Sequence, residues 1–110
     1  MPRLLDLHCE PPVRGAPHLT QALIQQYLKE VPQWLLSTSH AALQREFHFR
    51  NYYETMAFVN AVAWVAHGQD HHPDLEVSYN RCKVVYTTHA VGGLSLNDFI
   101  CAAHIDALQN

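Results

Sequence analysis

At 110 residues the chain has the size of one domain, and a domain of this length buries only roughly 65% of the surface its unfolded chain exposes. Its 48% apolar content excludes a disordered segment, and a net charge of -3 excludes the basic footprint of a nucleic-acid binder. The three cysteines, Cys9, Cys82 and Cys101, are an odd number, too widely spaced for a zinc knuckle and too few for a disulfide framework. They read as reduced thiols. No stretch has the apolar length of a signal peptide or a membrane span, so the expectation is a soluble, cytoplasmic protein.

Residues 1–18 carry four of the six prolines and a glycine, and read as an N-terminal arm without regular structure ahead of a single domain over 19–110. Thr20 is placed to cap a first helix, with Leu23, Ile24, Tyr27, Leu28 and Val31 on one face and Pro32 as its stop. Trp34 to Leu36 and Leu43 to Arg50 read as a hairpin about Ser37-Thr38-Ser39-His40. In its second strand Phe47 and Phe49 point inward against Glu46, His48 and Arg50 outward.

Asn51 with Glu54 resembles a capping box, opening a central helix whose stripe is Tyr52, Met56, Val59, Ala63 and Ala66 and whose end is Gly68. Leu75 to Tyr79 and Cys82 to His89 are β-rich about a turn at Asn80-Arg81. Ser95 with Asp98 starts a last helix with the stripe Leu96, Phe99, Ile100, Ala103 and Ala107, and Leu94 is placed to staple onto Phe99. The order α-β-β-α-β-β-α predicts an α+β domain. Its four strands form a mixed or antiparallel sheet with three helices on one face, the other face being left to solvent or another subunit.

Histidine is the unusual residue, nine of 110, and its ordinary pKa of about 6.5 lets it give and take protons near neutrality. In Asp70-His71-His72-Pro73 the proline bars a helix through His72 and pushes it into an extended conformation at the entry to the third strand. If Asn80 and Arg81 form the turn, position 72 faces position 89, making His72 and His89 cross-strand neighbours with Cβ atoms about 5 Å apart. His71 joins them if the loop bends back. The alternative readings are an exposed polar loop, and a metal site built on the i, i+4 pair His67 and His71 with His72 and His89. Gly68 and Pro73 argue against the continuous helix such a site needs. Trp34, Trp64, Tyr52 and Tyr53 read as core or helix-flank packing, His48 as a solvent-face strand residue and His104 as a polar-face helix residue.

With Asp70-His71-His72-Pro73, Tyr79-Asn80, Thr87-Thr88-His89 and Gly93-Leu94, the chain resembles the pterin-4a-carbinolamine dehydratases. The likeness extends to Phe47-His48-Phe49, to Asn97-Asp98-Phe99, and to the arm from Cys9-Glu10-Pro11 to Ala16-Pro17, which is similar to bacterial members. The resemblance implies an α+β fold with a four-stranded antiparallel sheet, assembled as a homodimer or homotetramer. It implies loss of water from a 4a-hydroxytetrahydropterin, the product of aromatic amino acid hydroxylases such as phenylalanine hydroxylase, to give quinonoid dihydropterin. It places acid-base catalysis on His71, His72 and His89, and substrate binding on those three with Asp70, Pro73, Thr88, Ala90 and Val91. No metal or redox cofactor is implied. Many relatives carry glutamate at the position of His67 and some tryptophan at that of Leu75. The competing expectation is a non-catalytic dimerisation or regulatory module of the same fold, as in relatives that partner a homeodomain transcription factor.

Overall fold

The computed structural model describes residues 2–109. Its elements run α1 (Gln21–Leu28), β1 (Leu35–Leu36), β2 (Leu43–His48), α2 (Tyr52–Gln69), β3 (Asp74–Ser78), β4 (Arg81–Tyr86) and α3 (Leu96–Asp106), with short 3-10 turns at Leu4–Asp6, His89–Val91 and Ala107–Gln109. The four strands form one antiparallel sheet in the order β1-β2-β4-β3. Strand alternation sorts the residues of this sheet. Leu43 and Phe47 on β2 and Cys82, Val84 and Tyr86 on β4 are buried beneath the helices, while Glu46, His48 and Glu76 lie on the open face.

The core fills the space between that covered face and the helices. Phe47 and Phe49 of the β2 segment close on Phe58 of α2 with ring centroids 4.5 and 5.1 Å apart, Trp34 meets Phe47 edge-on, and Tyr27 of α1 meets Phe99 of α3. Arg45 also points to the covered side. Its guanidinium sits 4.3 Å over the Phe47 ring and reaches Asp106 Oδ1 at 2.6 Å, the oxygen that accepts from Trp34 Nε1 at 2.7 Å. One carboxylate at the end of α3 thus ties together the two strands of the first hairpin at its open end.

The arm has no regular element longer than its 3-10 turn, yet Leu4 is 1% exposed and belongs to the core. Its backbone is held at Leu4 N by Glu30, at Cys9 N by Gln69, at Glu10 by both ends of the Asn97 amide, and at Gly15 N by Ala90 O. His104 Nε2 lies 3.0 Å from Leu7 O.

Several expectations need correction. The second hairpin turns at Tyr79-Asn80, not at Asn80-Arg81, so Ser78 faces Arg81 and Asp74 faces Val85. Arg81 is drawn into β4, where it faces His48 and reaches Glu46 Oε1 at 2.7 Å. The turn carbonyls are spoken for: Tyr79 O accepts from Thr55 Oγ1 at 2.9 Å and Asn80 O from Phe49 N at 2.8 Å. His72 and His89 are therefore not cross-strand partners; β4 ends at Tyr86 and His89 starts a 3-10 turn.

The buried stripe of α2 is Thr55, Phe58, Val62 and Ala66. Of the expected stripe only Ala66 is fully buried, and Tyr52 is 50% exposed. A helix apolar on most sides leaves periodicity little to discriminate. Gly68 lies inside that helix, which runs to Gln69 and is closed by Asp70. Finally, Trp64 and Tyr53 are 77% and 85% exposed and pack into no core.

Replacing Asp106 by alanine strips Arg45 and Trp34 of their shared acceptor. The substitution is expected to destabilise the fold by about 2 kcal/mol, since hydrogen bonds to charged groups contribute roughly 1.5–3 kcal/mol each. Chemical denaturation of the two proteins reads it directly, and equal midpoints with equal slopes would contradict it.

Candidate active site

The site begins where α2 ends. Asp70 adopts a left-handed conformation, φ 52° and ψ 42°, which a short polar side chain tolerates better than most. Its N–H returns to Ala66 O and His67 O, and the His71 N–H reaches Ala66 O at 3.1 Å, so two of the helix's last carbonyls are satisfied as the chain reverses. This reversal carries the His71 side chain inward, 13% exposed, while His72 and Pro73 lead extended into β3.

His71 lies flat against Tyr86 of β4, centroids 5.1 Å apart and planes 28° apart, and its carbonyl accepts from the Tyr86 hydroxyl at 3.2 Å. Burial pushes the Tyr86 phenol up, so that it remains a proton donor. The His71 Nε2 is 2.6 Å from Oδ1 of Asp98, which is fully buried.

Asp98 sits in the first turn of α3, and its other oxygen, Oδ2, accepts from Ser95 N at 2.9 Å and Thr88 Oγ1 at 2.8 Å. Because the single Thr88 hydroxyl proton goes to Asp98, the Ser95 hydroxyl 2.7 Å away donates to Thr88. The Asp98–Ser95 pair is also the capping box of its helix, whose N-terminal end favours negative charge.

Burial alone would lower the pKa of His71, but the hydrogen bond and charge of Asp98 outweigh it and hold the imidazole above its ordinary 6.5.

The three histidines of the sequence motif do converge, by a different route from the one expected. His71, His72 and His89 line one cleft of about 150 Å³, with Thr88 and Ala90 from the segment after β4. His89 reaches it because the 3-10 turn His89–Val91, closed by Gly92 at φ 67° and the Thr88–Gly93 bridge, folds the chain back. Asp70 and Pro73 line a neighbouring groove of about 370 Å³ on the α2 side of His71 and His72, together with Val62, His67 and Leu75. Val91 lines neither; its N–H closes the turn onto Thr88 O.

Four cleft residues escaped the sequence reading: Pro12 from the arm, Asp74 and Val85 from the facing strand ends, and Thr87. Asp98 was legible as a helix cap and as part of the Asn97-Asp98-Phe99 likeness, but nothing in its spacing from Ser95 announced a second partner in His71. A larger hollow of about 600 Å³ between the arm, α1 and α3 contains none of the histidines. Among the described residues no three histidine, cysteine, aspartate or glutamate side chains converge as metal ligands, and no helix is long and apolar enough to cross a membrane. His67 is exposed on α2 beside Trp64.

Residues 17–108 match the family model described as pterin 4 alpha carbinolamine dehydratase. The chain belongs to this family. It is 55% identical over 106 residues to a provisionally named pterin-4-alpha-carbinolamine dehydratase of Nitrosomonas eutropha, covering 96% of this chain and 92% of the relative. A protein of the same provisional name from Nitrosospira multiformis is 54% identical over 105 residues, covering 96% and 91%. Among solved structures, one titled transcriptional coactivator/pterin dehydratase from Brucella melitensis superposes with a TM-score of 0.80 at 27% identity, over 84% of this chain and 99% of that one. The family match spans the histidines and Asp98 but begins after Pro12, so the arm's wall of the cleft lies outside it.

The Asp98–His71 pair carries a pH signature. His71 holds its proton more tightly in the folded chain than in the unfolded one, so the stability it contributes is fully present below about pH 6.5. That contribution is lost as the pH rises through the raised folded-state value. In Asp98→Asn the His71 resonance, followed by NMR, is expected to titrate at lower pH and the corresponding loss of stability to disappear. An unchanged His71 titration would show that Asp98 is not its determinant.

Proposed function

We propose that this chain removes water from a 4a-hydroxytetrahydropterin to give quinonoid dihydropterin, recycling the pterin cofactor of aromatic amino acid hydroxylases. The observation that carries the reading is the convergence of His71, His72 and His89 on one cleft, in a chain of the dehydratase family. The reaction breaks the C4a–O bond and needs two proton movements: one onto the departing hydroxyl and one off N5.

As an imidazolium, His71 has a proton on each ring nitrogen. The Nε2 proton is committed to Asp98 at 2.6 Å, which leaves the other free to protonate the leaving hydroxyl. His72 or His89, both exposed at the cleft, takes the N5 proton. Thr88 acts behind the reacting groups by holding Asp98, Ala90 gives the cleft wall, Asp70 and Pro73 line the adjoining groove, and Val91 closes the turn that carries His89. Once water has left, return of the N5 proton to His71 resets the site, so one acid and one base complete the cycle.

We also infer self-association. Tyr53, Ala57, Asn60 and Trp64 form an exposed stripe on the outer face of α2, and Val77 and Tyr79 lie exposed at the sheet edge. The same face favours the second reading, a dimerisation or regulatory module, which the name transcriptional coactivator also suggests for the Brucella melitensis protein.

Added to a phenylalanine hydroxylase reaction, the protein is expected to speed formation of quinonoid dihydropterin. His72→Ala and His89→Ala should each lower that activity by on the order of 10²-fold or more, because each removes a positioned proton carrier. No acceleration by the wild type would reject the dehydratase reading, and wild-type rates in both variants would reject the histidine assignment. In sedimentation the wild type should run as a dimer or tetramer and Trp64→Glu as a smaller species. A wild-type monomer at micromolar concentration would end the association proposal.

A further inference from the structure

The arm and α3 bring two thiols together beneath the site. Cys9 Sγ lies 3.6 Å from Cys101 Sγ, although 92 positions separate them in the chain. Both are free, Cys9 partly exposed and Cys101 buried. The contact is held from both sides. Cys9 N donates to Gln69 Oε1 at 2.7 Å, and its neighbour Glu10 exchanges two hydrogen bonds with the Asn97 side chain, at 3.1 and 2.7 Å. Asn97 is one turn before Cys101 on α3. The Cys101 thiol also lies 3.9 Å from His71 O, the carbonyl that accepts from Tyr86.

We propose that Cys9 and Cys101 are a peroxide-oxidisable pair that closes to an intramolecular disulfide, tying the arm to α3 next to His71.

The Cys9 sulfur attacks one oxygen of hydrogen peroxide; the O–O bond breaks, hydroxide leaves, and Cys9 becomes a sulfenic acid. The Cys101 sulfur then displaces the hydroxyl from Cys9, the S–O bond breaks as the S–S bond forms, and water leaves with the Cys101 proton. Two sulfurs give up two electrons and one peroxide accepts them.

The order of events follows from access. Cys9 is the partly exposed residue of the two, and the hydrogen bond from Cys101 lowers its pKa, favouring the attacking thiolate; Cys101 is buried, is held high by the same contact and resolves. A disulfide bond of about 2.05 Å requires the sulfurs to approach by about 1.6 Å, a movement the arm, with its single 3-10 turn, can make without shifting α3. Pre-alignment makes this closure far faster than any pairing between molecules. In a reducing compartment the bond is transient, present only while oxidant is.

Cys82 is the internal control: it lies fully buried on β4 as a free thiol. Treatment of the full chain with a few equivalents of hydrogen peroxide, followed by alkylation and non-reducing peptide mapping, is expected to yield a Cys9–Cys101 linked peptide. The intact mass should fall by two hydrogens, with Cys82 still alkylatable after unfolding. Dithiothreitol should reverse the change, and Cys9→Ser, a substitution outside the α3 core, should give no linked species while Cys82→Ser behaves as wild type. Recovery of Cys9 as sulfinic or sulfonic acid beside an unmodified Cys101, or disulfides only between chains, would overturn the proposal.

Discussion

A buried carboxylate has to be answered, and in this fold the answer to Asp98 draws the site together. Its two oxygens are met by the α3 backbone at Ser95, by Thr88 beyond the end of β4, and by His71 beyond the end of α2. An isolated carboxylate in an apolar interior costs several kcal/mol, so these three segments cannot drift apart independently. Two of them, at His71-His72 and at Thr88-His89, carry the histidines of the cleft. The local act of capping a helix and the tertiary act of closing the domain are performed by the same side chain, and the arrangement of imidazoles follows from it.

The same pair makes the histidines unlike one another. His71 is enclosed, stacked on Tyr86 and biased toward its charged form by Asp98, whereas His72 and His89 stand at the open side of the cleft. Three equivalent imidazoles would compete for the same proton. Separate environments allow one to hold a proton as its neighbours accept, which is the general way in which one residue type serves as both acid and base at neutral pH. In the proposed dehydration this asymmetry matters more than the number of histidines. Asp98 accordingly acts through His71, as a residue that positions and charges it.

Much of this was legible in the sequence because the signals were local. Caps at Thr20, Asn51 and Ser95 mark all three helix starts, and the alternation of β2 correctly sends Phe47 inward and His48 outward. The misplaced turn of the second hairpin left the sheet faces intact, since moving it by one residue shifts every partner by two and keeps the pleat in phase. It did displace the argument for the site: His72 and His89 meet because the chain folds back at Gly92, not because a ladder pairs them. The stripe of α2 was illegible for a different reason. With apolar residues on most sides of that helix, only the positions of Phe47, Phe49 and the β3–β4 turn determine that Thr55 and Phe58 face inward.

The arm shows most clearly what composition conceals. Its prolines argue against helices and strands, and indeed it has almost none, but irregular backbone is compatible with close packing wherever its polar groups find partners. Here they find Glu30, Gln69, Asn97 and Ala90, which together run the arm from the core, past Cys101, to the rim of the histidine cleft. For a domain of 110 residues the additional apolar burial is significant, and Leu4 supplies part of it. The segment that finishes the core is thus also the one that places Pro12 against the site and Cys9 against α3. Stability and access to the histidines are coupled through it, so a change in the arm's attachment acts on the cleft while leaving every histidine in place.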